Sequence, residues 1–135
     1  MILGGKMKNI LILCAVPETE SERKVYDTIS QIVKNYADNV SSTANGHYSN
    51  GSCKQRYDWA CNKIKNADLV VAEMSHASMG RVAEVLKANV LEKPIIIFAR
   101  KGSRMPEQIE NFPAVKDIIF YKNPEDLVKK LYGMR

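Results

Sequence analysis

The segment that follows one apolar run holds the residues best suited to chemistry. Ser78 and Gly80 open a predicted helix directly after the strand-like run Asp68–Met74, and Glu84 lies one turn further on. Unpaired N–H groups at a helix start can bind an anion or a sugar oxygen. A carboxylate placed there among apolar neighbours can act as a nucleophile or a base. On spacing alone, the simpler interpretation is that Ser78 only caps the helix and Glu84 is a solvated helix residue.

Short apolar runs alternate along the chain with amphipathic segments, which predicts strands that alternate with helices. Thr19, with Glu22 three residues on, predicts a capping box at the start of the first helix. The predicted strands are Asn9–Cys14, Asn39–Thr43, Asp68–Met74, Ile95–Phe98 and Ile118–Tyr121. The predicted helices are Glu18–Ala37, Cys53–Asn66, Gly80–Leu91 and one from Pro124 to near Gly133, with room for a short helix in the polar connection Lys101–Phe112.

This alternation predicts an α/β fold with a five-stranded parallel sheet of order 2-1-3-4-5. Helices then cover both faces in a Rossmann- or flavodoxin-like three-layer sandwich. In such sheets ligands bind beyond the carboxyl ends of the strands, where the strand order switches. Three predicted loops lie there: Ala15–Thr19, Ser75–Gly80 and Ala99–Arg104.

Length, composition and charge indicate a single folded domain without a membrane span. The 135 residues suit one domain, with residues 1–8 as a tail and residues 9–135 as the folded unit. No apolar run approaches the length of a membrane span, and the first residues have no signal-peptide pattern. The net charge of +5 comes without a dense basic stripe, so we expect neither a nucleic-acid nor a membrane partner.

The cysteines and histidines argue against a disulfide-rich protein and against a metalloprotein. Cys14, Cys53 and Cys61 are odd in number and form no CxxC pair, so we expect reduced thiols in the cytoplasm. The histidines, His47 and His76, lack the spacing of metal ligands, so we expect no metal and no cofactor.

A longer stretch, Ile64–Pro94, resembles the nucleoside 2-deoxyribosyltransferase superfamily, in particular its 2′-deoxynucleoside 5′-phosphate N-hydrolases. That family has a helix ending in Ala-Asp, a Val-rich strand ending in Ala-Glu, and a Ser-x-Gly turn before a Glu. The specific motif covers about a quarter of the chain. The matching residues are Ala67, Asp68, Val70 to Glu73, Ser78, Gly80, Glu84 and Lys93.

The resemblance implies an activity and a site. Glu84 would attack the anomeric carbon of a deoxyribose, and the N-glycosidic bond of a nucleoside or nucleotide would break. Ser78 and Gly80 would hold the sugar or the 5′-phosphate. A homodimer is implied, because the family's phosphate contact from a partner subunit falls on Ser103, beside Arg104. The other candidates for substrate binding are Cys14, Ala15, Met79 and Arg81, and Asp58 is a second, weaker catalytic candidate.

The sequence also departs from the family pattern. Ile12 stands where the family has a Tyr, and Ala60 stands where it has an Asp. Asp58 is two positions away, which on a helix is about 200° around the axis. The loop Ala15–Glu18 replaces a Gly-rich phosphate loop, and Val82 replaces the second Gly of the turn.

Several hypotheses therefore stay open. The chain is an N-glycosidase or deoxyribosyltransferase, or a nucleotide-binding relative that has lost catalysis. A phospho-receiver is set aside, because such a protein needs an Asp where the third strand here ends in Glu73. Arg81 either reaches a phosphate or is an exposed helix residue. His47 and Tyr48 lie in a Gly-rich loop and could contact a base.

Overall fold

The computed structural model describes residues 5–44 and 50–133. His47, Tyr48 and the first four residues of the predicted tail lie outside this range. The strands are β1 (Met7–Leu13), β2 (Ala37–Ser42), β3 (Leu69–Glu73), β4 (Ile95–Arg100) and β5 (Val115–Tyr121). The helices are α1 (Glu20–Lys34), α2 (Cys53–Asn66), α3 (Met79–Val90), α4 (Glu107–Glu110) and α5 (Pro124–Tyr132).

The five strands form one parallel sheet in the order β2-β1-β3-β4-β5, which confirms the predicted fold. β1 lies at the centre of the strand-order switch, with β2 on one side and β3 on the other. Ile10 of β1 therefore pairs with Val40 and with Leu69. Because β1 and β3 run side by side, the loops that follow them meet at the same edge of the sheet.

Alternate residues of the strands supply two separate hydrophobic cores. Ile10 and Ile12 face the helices α1 and α5, whereas Leu11 and Leu13 face α2, α3 and α4. Both faces of β1 are therefore buried, which explains why its sequence is continuously apolar. The sheet therefore lies between two layers of helices. The ends of its strands are not covered in this way, so polar side chains can lie there.

Side chains fix where the helices begin. Thr19 caps α1 by accepting from the Glu22 amide, and the Glu22 carboxylate accepts from the amide of Glu18, one residue before the cap. Ser52 caps α2 in a full capping box with Gln55. The Thr19 and Ser52 hydroxyls each satisfy a backbone N–H of the first turn that the helix leaves unpaired.

The main differences from the sequence prediction are at element boundaries. α1 ends at Lys34 and not at Ala37, because Ala37 pairs with Met7 and so begins β2. β1 begins at Met7, inside the segment predicted as a tail, and β5 begins three residues before Ile118. Strand pairing overrides helical periodicity where the two compete at a boundary.

The described ranges also show the state of the cysteines, the distribution of possible metal ligands and the character of the helices. The three cysteines are free thiols, and Cys14 is buried. Among residues 5–44 and 50–133, no cluster of His, Cys, Asp and Glu has the arrangement of a metal site. No helix in those ranges has the length and apolar character needed to cross a membrane.

Candidate active site

Two adjoining cavities open at the carboxyl edge of the sheet. The α2-side cavity has a volume of about 430 Å³ and is lined by Thr43, Cys53, Arg56, Tyr57, Gly80 and Glu84. The β5-side cavity has a volume of about 310 Å³, and its polar lining includes Glu22, Glu73, Ser75, His76, Arg100 and Tyr121. Both cavities share a wall made of Cys14, Ala15, Val16, Ser78 and Arg81.

Glu84 lies on α3 and is only 2% exposed, yet it contributes to the lining of the α2-side cavity. Its Oε1 atom is 2.7 Å from the NH1 nitrogen of Arg81, three residues earlier on the same helix. The interpretation of Glu84 as a solvated helix residue is therefore wrong. A buried carboxylate needs a compensating charge, and Arg81 supplies it.

Arg81 is likewise buried, so the interpretation of this residue as an exposed helix arginine is also wrong. Its NH1 nitrogen donates both to Glu84 and to the hydroxyl of Thr43, at 3.0 Å. The Thr43 hydroxyl in turn donates to the Cys14 carbonyl and accepts from the Cys14 amide. One short chain of contacts thus connects α3 to the ends of β1 and β2.

The N-terminus of α3 forms part of both cavities. The Ser78 hydroxyl caps it by accepting from the Arg81 amide at 3.2 Å. Gly80 lines the α2-side cavity, and an added Cβ atom there would meet only the Ser78 hydroxyl oxygen, at 3.7 Å. Ser78 therefore caps the helix and also faces the space beside Glu84.

Other predicted site residues lie away from the cavities. Asp58 is on an exposed face of α2, where its carboxylate pairs with Lys54 at 2.7 Å. Met79 is 84% exposed and lines neither cavity. Ser103 and Arg104 also line neither, and the Ser103 hydroxyl donates to the Arg100 carbonyl. Within one chain, the structure does not bring these four residues to Glu84.

A network that the sequence analysis did not identify occupies the β5-side cavity. The carboxylate of Glu73, at the end of β3, accepts three hydrogen bonds. Its Oε1 atom accepts from the Ser75 amide at 2.8 Å, and its Oε2 atom accepts from the Ser75 hydroxyl at 2.8 Å and the Tyr121 hydroxyl at 2.5 Å. The signal that could have indicated it is that Glu73 and Tyr121 both end strands at the same edge of the sheet.

Burial perturbs two groups around the β5-side cavity. Burial, followed by the nearby charge of Glu73, raises the pKa of the Cys14 thiol to about 12. Burial, followed by the charge of Glu73 and the hydrogen bond to it, raises the pKa of Tyr121 above its usual range. Both groups therefore stay protonated at neutral pH, and Tyr121 remains a hydrogen-bond donor.

These features define the class as an α/β three-layer protein with a cleft at the strand-order switch. Among solved structures, the chain is similar to the Clostridium botulinum CMP N-glycosidase BcmB, with a TM-score of 0.67 and 19% identity over 91% of this chain and 98% of that one. It is also similar to the 2-deoxyribosyltransferase of Bacillus psychrosaccharolyticus, with a TM-score of 0.61 and 16% identity over 88% of this chain and 90% of that one.

A third similar structure has a different kind of name. It is a protein of Burkholderia pseudomallei named for a relation to pilus assembly, with a TM-score of 0.54 and 14% identity over 98% of this chain and 92% of that one. No protein-family model matches the sequence. No curated protein sequence matches it either. At these identities the likeness concerns the fold, so an activity has to be argued from the site.

Proposed function

We propose that the chain cleaves or transfers the N-glycosidic bond of a 2′-deoxynucleoside or its 5′-monophosphate, with Glu84 as the nucleophile. The observation that carries the proposal is a buried carboxylate on the wall of a cavity, with its charge compensated by Arg81. The similarity to an N-glycosidase and a deoxyribosyltransferase supports it, because both of those proteins are named for chemistry at a glycosidic bond.

The proposed reaction has two steps. In the first, an oxygen of Glu84 bonds to the anomeric carbon as the bond from that carbon to the base breaks. The base leaves with the electron pair of that bond and takes up a proton from solvent, and the water or acceptor base that attacks in the second step returns a proton to solvent. In the second, water or another base attacks the same carbon and displaces the carboxylate. Water gives hydrolysis, and a second base gives transfer.

Arg81 has a defined part in this reaction. Its guanidinium holds one oxygen of Glu84, which fixes the orientation of the carboxylate on α3. Through Thr43 the same guanidinium is tied to the end of β1, so it is held from two sides. Such positioning lowers the entropic cost of bringing a nucleophile to a reacting carbon.

A second candidate function is nucleotide binding without catalysis. Ile12 and Ala60, at the positions where the family resemblance places a Tyr and an Asp, are both fully buried apolar residues in the structure. Asp58 does not replace the missing Asp, since it pairs with Lys54 outside the cavities. The site would then keep its nucleophile position but lack two polar partners.

One experiment separates these functions. The wild-type protein is incubated with a panel of 2′-deoxynucleosides, ribonucleosides and their 5′-monophosphates, with and without an added acceptor base. Free and exchanged bases are resolved by chromatography. Release or exchange from a deoxynucleoside supports the catalytic proposal. Binding of panel members without release from any of them supports the second candidate.

We also propose that the protein is cytoplasmic and forms a homodimer. Ser103 and Arg104 line neither cavity of their own chain, so a contact with substrate would require a second copy. α3 presents the exposed apolar residues Met79, Leu86 and Val90 along one helix face, which suits such an interface. Light scattering that detects only monomer at tens of micromolar would contradict the dimer.

A further inference from the structure

The sheet has two edge strands, β2 and β5, and their sequences differ in character. β2 reads ADNVSS, with Val40 as its single large apolar residue. β5 reads VKDIIFY, so its second half, Ile118–Tyr121, is a run of four apolar or aromatic residues with high strand propensity. An edge that combines such side chains with unpaired backbone groups pairs with other chains unless something covers it. The edge of β5 therefore needs a cover that the edge of β2 does not.

The backbone groups of successive residues in β5 face opposite ways. The Tyr121 carbonyl accepts from the amide of Lys101, directly after β4, at 2.8 Å, so Tyr121 faces the sheet. By the alternation along a strand, the amide and carbonyl of Ile118 and of Phe120, and the amide of Lys122, face away from β4. These groups form the outer edge of β5.

Two side chains of α5 bond to the outer edge of β5. The Lys130 ammonium donates to the Phe120 carbonyl at 2.5 Å, and the Asp126 carboxylate accepts from the Lys122 amide at 2.8 Å. Lys130 and Asp126 also pair with each other one helical turn apart, with 3.5 Å between Nζ and Oδ2. Two of the outward backbone groups near the end of β5 are therefore satisfied within the chain.

The outer edge of β5 is also complementary to itself. If two copies of β5 met antiparallel about Ile119, Ile118 of one copy would lie opposite Phe120 of the other. Residues opposite each other in this way exchange two N–H···O=C bonds, so the two strands would form four. Two of the four would use the Phe120 carbonyls, to which Lys130 donates. The Phe120 side chain is 37% exposed, so pairing would also remove apolar surface from water.

We propose that Lys130 prevents the outer edge of β5 from pairing with the same edge of a second copy. It covers the Phe120 carbonyl and places a positive charge where the second strand would lie. The second copy would bring its own Lys130 to the same interface, and the two like charges repel. Asp126 is a positioning residue, because it holds the ammonium group beside the strand. The inference is independent of the proposed function and shares no residue with the α3 face proposed for the homodimer.

Lys130→Met is the variant that tests this inference. Methionine keeps an unbranched side chain and a good helix propensity but has neither the donor nor the charge. The matched control is Lys129→Met, which makes the same change at the neighbouring exposed lysine in the last turn of α5. Lys130→Arg is a second control, since it keeps both donor and charge. Light scattering on each purified variant over a series of concentrations measures the molar mass.

We expect Lys130→Met to pair two copies of whatever species the wild-type protein forms. Each freed carbonyl contributes one hydrogen bond, so the dissociation constant of this pairing should fall by about tenfold or more relative to wild type. Lys129→Met and Lys130→Arg should keep the wild-type mass at every concentration.

Amide hydrogen exchange identifies the surface that associates. The Phe120 amide faces away from the sheet, so it should exchange rapidly in the wild-type protein and slowly in associated Lys130→Met. The Tyr121 amide faces β4 and should change little between the two.

Three results would overturn the inference. The first is a wild-type mass for Lys130→Met at every concentration. The second is an equal rise in mass for Lys129→Met. The third is association of Lys130→Met without slower exchange at the Phe120 amide. If thermal unfolding shows that Lys130→Met does not fold, Lys130→Ser decides by the same measurements, because serine removes the same donor and charge without adding apolar surface.

Discussion

The two cavities each contain a partly or fully buried glutamate, but the charge of each is stabilised in a different way. Glu84, on a helix, is compensated by the full positive charge of Arg81. Glu73, at a strand end, is stabilised by two hydroxyls and one amide. An ion pair neutralises a carboxylate, whereas neutral donors leave its net charge in place.

This difference indicates different roles for the same side chain. A carboxylate that is held by neutral donors keeps its net charge. Such a carboxylate can attract a further donor group. A carboxylate whose position is fixed by a guanidinium can be aimed at a reacting atom. Two carboxylates in contrasting environments are a recurrent arrangement in enzymes that act on glycosidic bonds. Substitutions in the two cavities show whether the two glutamates differ in this way.

Glu84→Gln should have the largest effect. The amide keeps an oxygen for Arg81 but is a far weaker nucleophile, so base release should fall by about 10⁴-fold or more. The chromatographic assay of base release measures this. Asp58→Ala is the control, since Asp58 lines neither cavity, and it should retain nearly full activity. Comparable losses in the two variants would show that Glu84 is not the nucleophile.

Arg81→Met should have the next largest effect, on stability. It leaves the buried Glu84 without its compensating charge, which costs about 3–5 kcal/mol in the free energy of unfolding. Denaturant titration measures the loss. Adding Glu84→Gln to Arg81→Met should recover a large part of it.

The matched control for that experiment is Lys54→Met. Lys54 and Asp58 form an exposed ion pair of the same 2.7 Å length, and such pairs contribute little. If Lys54→Met destabilises the protein as much as Arg81→Met does, charge compensation in the buried site is not what stabilises Glu84.

Tyr121→Phe should have a smaller effect. It removes one donor to the charged carboxylate of Glu73, a loss of about 2 kcal/mol in the free energy of unfolding. Tyr26→Phe is the control, because the Tyr26 hydroxyl bonds the neutral Ser42 hydroxyl at 3.0 Å and should contribute about half as much. Equal losses in denaturant titrations would show that the bond to Glu73 is no stronger than a bond between two neutral groups.

The smallest expected effect is on the pH dependence of stability. An unfolded Cys thiol ionises around pH 9.0, whereas the buried Cys14 thiol stays protonated until about pH 12. The stability that this shift provides is complete below pH 9 and declines as pH rises toward 12. Between pH 9 and 10 the free energy of unfolding should fall by about 1 kcal/mol. Below pH 10 the raised pKa of Tyr121 contributes little to this loss.

Cys14→Ala should flatten that decline, whereas the exposed Cys53→Ala should not. Chemical denaturation at a series of pH values measures both variants. A decline that persists unchanged in Cys14→Ala would place its origin in another group.

The fold could be predicted from the sequence because the signals for it are local. Asn9–Cys14 is apolar at every position, and only a strand covered on both faces needs that. Because such runs alternate with amphipathic helices, the rules for connections between parallel strands allow very few sheet orders. The structure confirms the order 2-1-3-4-5.

The site was predicted only in part, because its contacts are decided by burial and by distant residues. Arg81 and Glu84 are three apart on one helix, so an ion pair between them could have been expected, but the spacing does not say whether the pair is exposed or buried. Glu73 and Tyr121 are 48 residues apart in the sequence. They meet because only one strand, β4, lies between β3 and β5 in the sheet.

Thr43 has a consequence for attempts to re-engineer this protein by exchanging loops. Its hydroxyl forms three hydrogen bonds, two with the backbone of Cys14 and one with Arg81. Valine has the same shape but none of these bonds, so the substitution would release the guanidinium that orients Glu84. For the proposed reaction, a loop grafted after β2 should therefore begin beyond Thr43, because a graft that removes this hydroxyl would change the rate along with any change in base preference.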